Sequence, residues 1–190
     1  MIKIEPPAGG DPVRSQGVIK DGISWYFAQF NRNKKSVVLD LYSDEGKHTL
    51  ARLLAGADVL VENYRPGVLA TMGFTKDRLD AINPRLIVAS VNGYGSSGPY
   101  VDRPSFDFIA QAMSGFMSVI GDPAGDPQRA APPVSDLIAG LYCAFGVVTA
   151  LQARSRTGRG QQVESSLTGG LIGARLTDIC LLYTSPSPRD

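Results

Sequence analysis

The chain has 190 residues, 43% of them hydrophobic and 19% charged, with a formal net charge of +1, which is enough for one sizeable core. It has neither a basic stripe with interleaved aromatics nor a long like-charge run, so no nucleic-acid partner is expected. No apolar stretch reads as approaching the roughly 20 residues that cross a membrane, and "MIKIEPPAGG" lacks the parts of a signal peptide, so a cytoplasmic protein with no membrane partner is expected.

In chain order, "IKIEPP" is a short strand pattern ended by a double proline, and nothing precedes it to pair with. Met1 is therefore expected to be an internal codon read as a start. The runs "SVVLDL", "DVLVENY" and "RLIVASV" are rich in Val, Ile and Leu and are separated by helix-like stretches, the alternation of a parallel sheet covered on both faces. Strands are expected near residues 2–5, 37–39, 59–62 and 86–90, in one mostly parallel sheet.

In "YSDEGKHTLARLLAGA" Ser43 can cap a helix, Asp44 and Glu45 suit its first turn, Leu50, Leu53 and Leu54 make an apolar stripe, and Gly56 ends it. "RPGVLATMGFTKDRLDAINPR" reads as two short helical pieces with Thr75 as a cap, and the glycines and prolines of "NGYGSSGPYVDRPS" make a loop. Two longer helix patterns follow, "FDFIAQAMSGFMSVIG" and the run after Asp136, with the proline-rich "DPAGDPQRAAPPVS" between them. Gly115, Gly140 and Gly146 inside these patterns read as close-packing positions, because a helical glycine costs up to about 1 kcal/mol relative to alanine. "QQVESSL" reads as a strand entered through the turn "RTGRG".

The last segment, "CLLYTSPSPRD" at 180–190, can be written back into DNA as a transposase-end adapter used in sequencing libraries, so it is expected to be a non-native scar. Cys143 then stands as a small buried hydrophobe in a reducing compartment, with neither disulfide nor metal site expected. His48 is the sole histidine, and its neighbours Lys47 and Thr49 place it on a solvated helix face. "GYGSSG" lacks the lysine and helix start of a phosphate loop, although its glycines let a backbone approach a ligand closely.

"PPVSDLIAG" leaves two roles open for Asp136. A carboxylate just before an apolar-periodic run can accept orphan amide bonds and meets the positive end of the helix dipole, so capping is the local expectation. The same charge is suited to a nucleophile.

Taken in order, "IKIEPPAGGDPVR", "FNRNKKSVVLDLYSDEG", "ADVLVENYRPGVLATMGF", "INPRLIVASVNGYGSSGPYVDRPSFDFIAQAMSG" and "PVSDLIAGLYCAFGVVTALQARSRTGRGQQVESSL" resemble the class III CoA-transferases of the CaiB/BaiF type. That family includes formyl-CoA transferase, carnitine CoA-transferase and the alpha-methylacyl-CoA racemases. The resemblance runs from residue 2 to about 167. It implies an α/β fold, a Rossmann-like mostly parallel sheet flanked by helices and incomplete at both ends. Residues 1–179 would be a partial large CoA-binding and catalytic domain, inactive alone, with a smaller domain downstream and an interlocked homodimer when complete.

The resemblance also implies the chemistry. Asp136 matches the catalytic aspartate, which moves CoA from an acyl-CoA to a carboxylic acid through an aspartyl anhydride and an aspartyl-CoA thioester, with CoA as substrate and no tightly bound cofactor. Asn63 and Tyr64 match positions beside the pantetheine arm, Arg65 one placed for the nucleotide phosphates, and Leu39 one lining the adenine pocket. Pro104, Ser105, Phe106 and Asp107 match the segment that closes over the thioester. Standing alone, Tyr64 would read as core packing and Arg65 as a solvated charge. Many relatives carry an arginine just before the glycine matched by Gly73, where this chain has Thr71-Met72.

Racemases of the family carry a histidine where this chain has Phe106, which cannot exchange a proton, so a racemase is the second reading. A non-catalytic CoA-binding protein is the third, and retention of aspartate rather than asparagine at 136 speaks against it.

Overall fold

Every run expected to be extended forms a strand, but ladder pairing divides the strands between two parallel sheets instead of joining them in one. Alternation of apolar residues marks a strand, yet it carries nothing about which edges pair. The computed structural model of the chain describes residues 1–122 and 124–175, which fall into two units, Met1–Gly56 and the chain from Ala57 onward. The expected scar at 180–190 lies outside the described residues.

In the first unit, β1 (Ile2–Glu5) is followed by a hairpin of β2 (Ile19–Lys20) and β3 (Ile23–Ser24), then α1 (Trp25–Asn31), β4 (Lys35–Val38) and α2 (Asp44–Ala55). The hairpin turns on Asp21 and Gly22, both at positive φ, as a two-residue turn between twisted strands requires. β1 pairs in parallel with β4, from Ile2 opposite Lys35 to Glu5 opposite Val38. Glu5 is only 2% exposed and fastens the loop that follows the double proline. Its carboxylate accepts from Nε and Nη2 of Arg14 at 2.8 Å each, from Ser36 Oγ at 2.7 Å and from the Asp11 N–H at 2.9 Å. The Arg14 guanidinium, more than any other contact, holds the Glu5 carboxyl far below the ordinary glutamate range. α2 is built as its sequence indicates: Ser43 Oγ accepts from the Gly46 N–H at 3.0 Å, Leu50 and Leu54 are buried, Gly56 ends the helix, and His48 is exposed.

The second unit runs β5 (Val59–Glu62), α3 (Val68–Thr71), α4 (Lys76–Ile82), β6 (Ile87–Asn92), α5 (Asp107–Met113), α6 (Val134–Thr157), β7 (Gln162–Ser166) and α7 (Leu167–Ala174). β5, β6 and β7 form a parallel sheet with β6 in the middle, Val59 opposite Ile87 and Val88 opposite Gln162. Thr75 caps α4, as expected. Ile87 and Ala89 on β6 are fully buried, and α6 packs on β6 and β7. The contact is close: Ser165 Oγ donates to the Ala139 carbonyl at 2.9 Å, and a Cβ added at Gly146 would lie 2.6 Å from Val163 Cγ1.

Three expectations are corrected here. Apart from its own helix, no described residue comes within 4 Å of where a Gly140 Cβ would be, so only Gly146 of the two α6 glycines is a packing position. The helix expected through Gly115 stops at Met113, because Gly115 adopts φ +72°, the left-handed turn that ends helices, and a short 3-10 turn, Phe116–Val119, follows. Finally, the 24-residue α6 is long and apolar enough to cross a membrane by length and composition, a test that the core helix of a soluble protein also passes. One side of α6 packs against β6, β7, α5 and α7, while Leu141, Phe145 and Val148 are exposed.

Candidate active site

Asp136 is the third residue of α6 and not its cap. Pro133 stands at the cap position and provides no side-chain hydrogen bond, so the expected capping role of Asp136 is overturned. The cap comes from another helix. Oδ1 of Asp107, the first residue of α5, accepts from the Ser135 backbone N–H at 2.8 Å and from Ser135 Oγ at 2.7 Å. One of the four orphan amides at the start of α6 is thereby satisfied from 28 residues away.

This leaves the Asp136 carboxylate uncommitted. Among the described residues no group donates a hydrogen bond to it, and the residue is exposed. The surrounding chain still crowds it enough that partial desolvation, and after it the negative charge of Asp107, raises its pKa above the ordinary aspartate value. A more basic carboxylate is the better nucleophile once ionised. Cys143, buried along the same helix, has its thiol pushed up by burial and is poorly suited to such a role.

A cavity of about 210 Å³ lies in the second unit over one face of its sheet. Tyr64, Arg65 and Lys76 line it together with Asn92 of β6, Ser96 and Glu164 of β7. Glu164 holds the glycine-rich loop down by accepting from both the N–H and the Oγ of Ser96, and Asn92 Oδ1 accepts from the Gly95 N–H at 2.5 Å. Asn63 is exposed beside this cavity in sequence but does not line it. The backbone N–H of Tyr64 is held by Glu62 Oε2 at 2.7 Å.

The segment of Pro104, Ser105, Phe106 and Asp107 meets the end of β6 through Gly93, where an added Cβ would lie only 2.4 Å from Ser105 Cβ. Close approach at a glycine after a parallel strand was thus legible, although its partner here is protein. Pro104 and Phe106 are exposed, Phe106 at 79%, whereas Asp107 is buried with both oxygens engaged by protein donors. Contacts therefore run from Asn92 of the cavity through Gly93, Ser105 and Asp107 to the start of α6. Leu39 lies in the first unit, just past β4, with its N–H on the Glu5 carbonyl at 3.0 Å. Sequence reasoning assigned no site role to Asn92, Glu164, Gln111 or Ser135. Only the i,i+4 spacing of Asp107 and Gln111 on α5 hinted at one of their contacts. Among the described residues no three His, Cys, Asp or Glu side chains gather as metal ligands.

The profile of CoA-transferase family III matches residues 1–184. The chain belongs to that family. Over 172 residues it is 43% identical to the acetyl-CoA:oxalate CoA-transferase of Acetobacter aceti, covering 90% of this chain and 44% of that protein. It is likewise 43% identical over 173 residues to the formyl-CoA:oxalate CoA-transferase of Rhodopseudomonas palustris strain HaA2, covering 90% of this chain and 40% of that one. The crystal structure of a CAIB/BAIF family protein from Brucella suis superposes with a TM-score of 0.90 at 36% identity, covering 98% of this chain and 51% of that one. The parallel sheets flanked by helices are the family's architecture, and the chain spans less than half the length of these curated relatives.

Proposed function

We propose that the chain carries the nucleophile of an acyl-CoA:carboxylate CoA-transferase, and that Asp136 is that nucleophile. One observation carries the reading: of two neighbouring carboxylates at the α5–α6 junction, Asp107 is consumed by protein donors and Asp136 is left exposed, without a hydrogen bond from any described residue, and more basic than usual. The relatives' names, which pair acetyl-CoA or formyl-CoA with oxalate, support transfer between an acyl-CoA and a carboxylate.

The steps balance without an outside reagent. An Asp136 oxygen adds to the thioester carbonyl, the C–S bond breaks, and CoA leaves as thiolate from a mixed anhydride. The thiolate then attacks the aspartyl carbonyl of that anhydride, releasing the donor acid as its carboxylate and leaving an aspartyl-CoA thioester. The acceptor carboxylate attacks this thioester and expels the thiolate once more. Attack of the thiolate on the acceptor's carbonyl yields the new acyl-CoA and frees Asp136. In this reading Asn63, Tyr64 and Arg65 bind the pantetheine arm and phosphates, and the segment of Pro104, Ser105 and Phe106 encloses the thioester end, with Asp107 anchoring that segment from inside. For Leu39 as an adenine contact the support is the match of "SVVL" alone. A homodimer belongs to the same proposal, and the exposed row Leu141, Phe145 and Val148 is the kind of surface a subunit contact covers. Phe106 offers no second base, which disfavours racemization.

Asp136→Asn in the whole protein tests the assignment. Asparagine preserves the helix and its trans cap but cannot form the anhydride, so turnover is expected to fall at least about 10³-fold while CoA binding is retained. Near-normal turnover in the variant would return Asp136 to a merely local role.

A further inference from the structure

Behind Asp136 lies a chain of buried polar groups that neither the fold nor the reaction steps have so far required. Gln111 and Ser135 are fully buried and Asp107 is 6% exposed. Gln111 Nε2 donates to Asp107 Oδ2 at 2.6 Å, and Gln111 Oε1 accepts from the Ala130 N–H at 2.9 Å. The other oxygen of Asp107 takes both donors of Ser135. α5, the proline-rich segment at Ala130 and the first turn of α6 are thereby tied at one point. Apolar packing could join two helices at lower desolvation cost, so a fully satisfied polar core at this place fixes geometry more than it adds stability.

We propose that Ser135 and Gln111 are positioning residues for the transfer reaction, acting through Asp107 to fix the first turn of α6 and with it the direction of the Asp136 carboxylate. This rests on the reading of Asp136 as nucleophile. The physical need is plain: no described group hydrogen-bonds that carboxylate, so its placement depends on the backbone that bears it. It must attack a thioester carbon and later present its own carbonyl to the thiolate. A misplacement of about 1 Å in such a step can cost about 10²-fold in rate. Ser135 is the residue immediately before Asp136, and its N–H and Oγ are the two α6 groups that Asp107 grips.

The test uses Ser135→Ala, which keeps the backbone N–H on Asp107 and removes the hydroxyl, and Gln111→Met, which removes the amide's contacts with Asp107 and Ala130 at similar length. Each is compared in the whole protein by thermal unfolding, KM for acyl-CoA and kcat. The expected result is a kcat lowered about tenfold or more with KM for acyl-CoA within about twofold, and a smaller loss in Ser135→Thr, which restores a hydroxyl. Variants that fold and keep kcat within twofold, losing only thermal stability, would overturn the proposal, as would a raised KM at unchanged kcat. If Ser135→Ala fails to fold, Gln111→Met decides by the same criteria. Inactive Asp136→Asn beside fully active Ser135→Ala and Gln111→Met rejects the positioning role alone, whereas active Asp136→Asn rejects the nucleophile itself.

Discussion

Glu5 in the first unit and Asp107 in the second are both buried carboxylates with every oxygen hydrogen-bonded, yet they stand in opposite electrostatic situations. Glu5 meets the guanidinium of Arg14, so its charge is cancelled where it sits and its pKa is driven down. Asp107 meets only neutral donors, the hydroxyl and amide of Ser135 and the amide of Gln111, and among the described residues no cation pairs with it. Asp136, whose pKa is raised first by partial desolvation, receives a further upward push from this uncancelled charge. A cancelled charge makes a lock. A charge held in place by neutral donors and left uncancelled adds to the upward shift of a neighbouring carboxylate.

The contrast can be broken most forcefully at Glu5. Glu5→Ala strands Arg14, Ser36 and the Asp11 N–H, and should destabilise the first unit by about 2–4 kcal/mol. Trp25, the only tryptophan, lies in that unit and reports its denaturant unfolding by fluorescence. A change below about 0.5 kcal/mol would mean that the lock is ornamental.

Acid sharpens the contrast with a smaller effect of opposite sense at the two sites. Because the folded-state pKa of Glu5 is lowered, its stabilising contribution is present above the ordinary glutamate value of 4.5 and is lost as pH falls below it. The stability gap between wild type and Glu5→Ala should close on acidification through that range. For Asp136 the shift is upward, so the acid limb of turnover should lie above the ordinary aspartate value of 3.8. Asp107→Asn removes one cause of the shift and leaves desolvation, the larger one, so the limb should move down in pH but stay above 3.8. An unmoved limb would disconnect the two carboxylates.

Much of this architecture was legible in the sequence wherever the determinant was local. Ser43, Thr75 and Gly56 act on amides and carbonyls within a turn of themselves, and each does what its position indicates. The short strands were legible because alternation and β-branched residues act within a segment. What stayed hidden depends on partners far along the chain. Asp136 read as a cap because a carboxylate before an apolar run normally caps, and nothing near it reveals that Asp107 reaches across from α5. Gly140 and Gly146 are indistinguishable in sequence, and only the approach of Val163 separates them. Of the residues taken from the family resemblance, Tyr64 and Arg65 come together in the cavity. Asp107 is buried with both oxygens on protein donors, while its neighbours Pro104 and Phe106 are exposed.

The most direct test of Asp136 is chemical. The whole protein is incubated with an acyl-CoA, quenched with hydroxylamine, digested and read by mass spectrometry. An anhydride or thioester on the side chain is converted to an aspartyl hydroxamate, so the peptide containing Asp136 should carry that mass in the wild type and lack it in Asp136→Asn. A hydroxamate on another carboxylate, or none at all while transfer proceeds, would contradict the account.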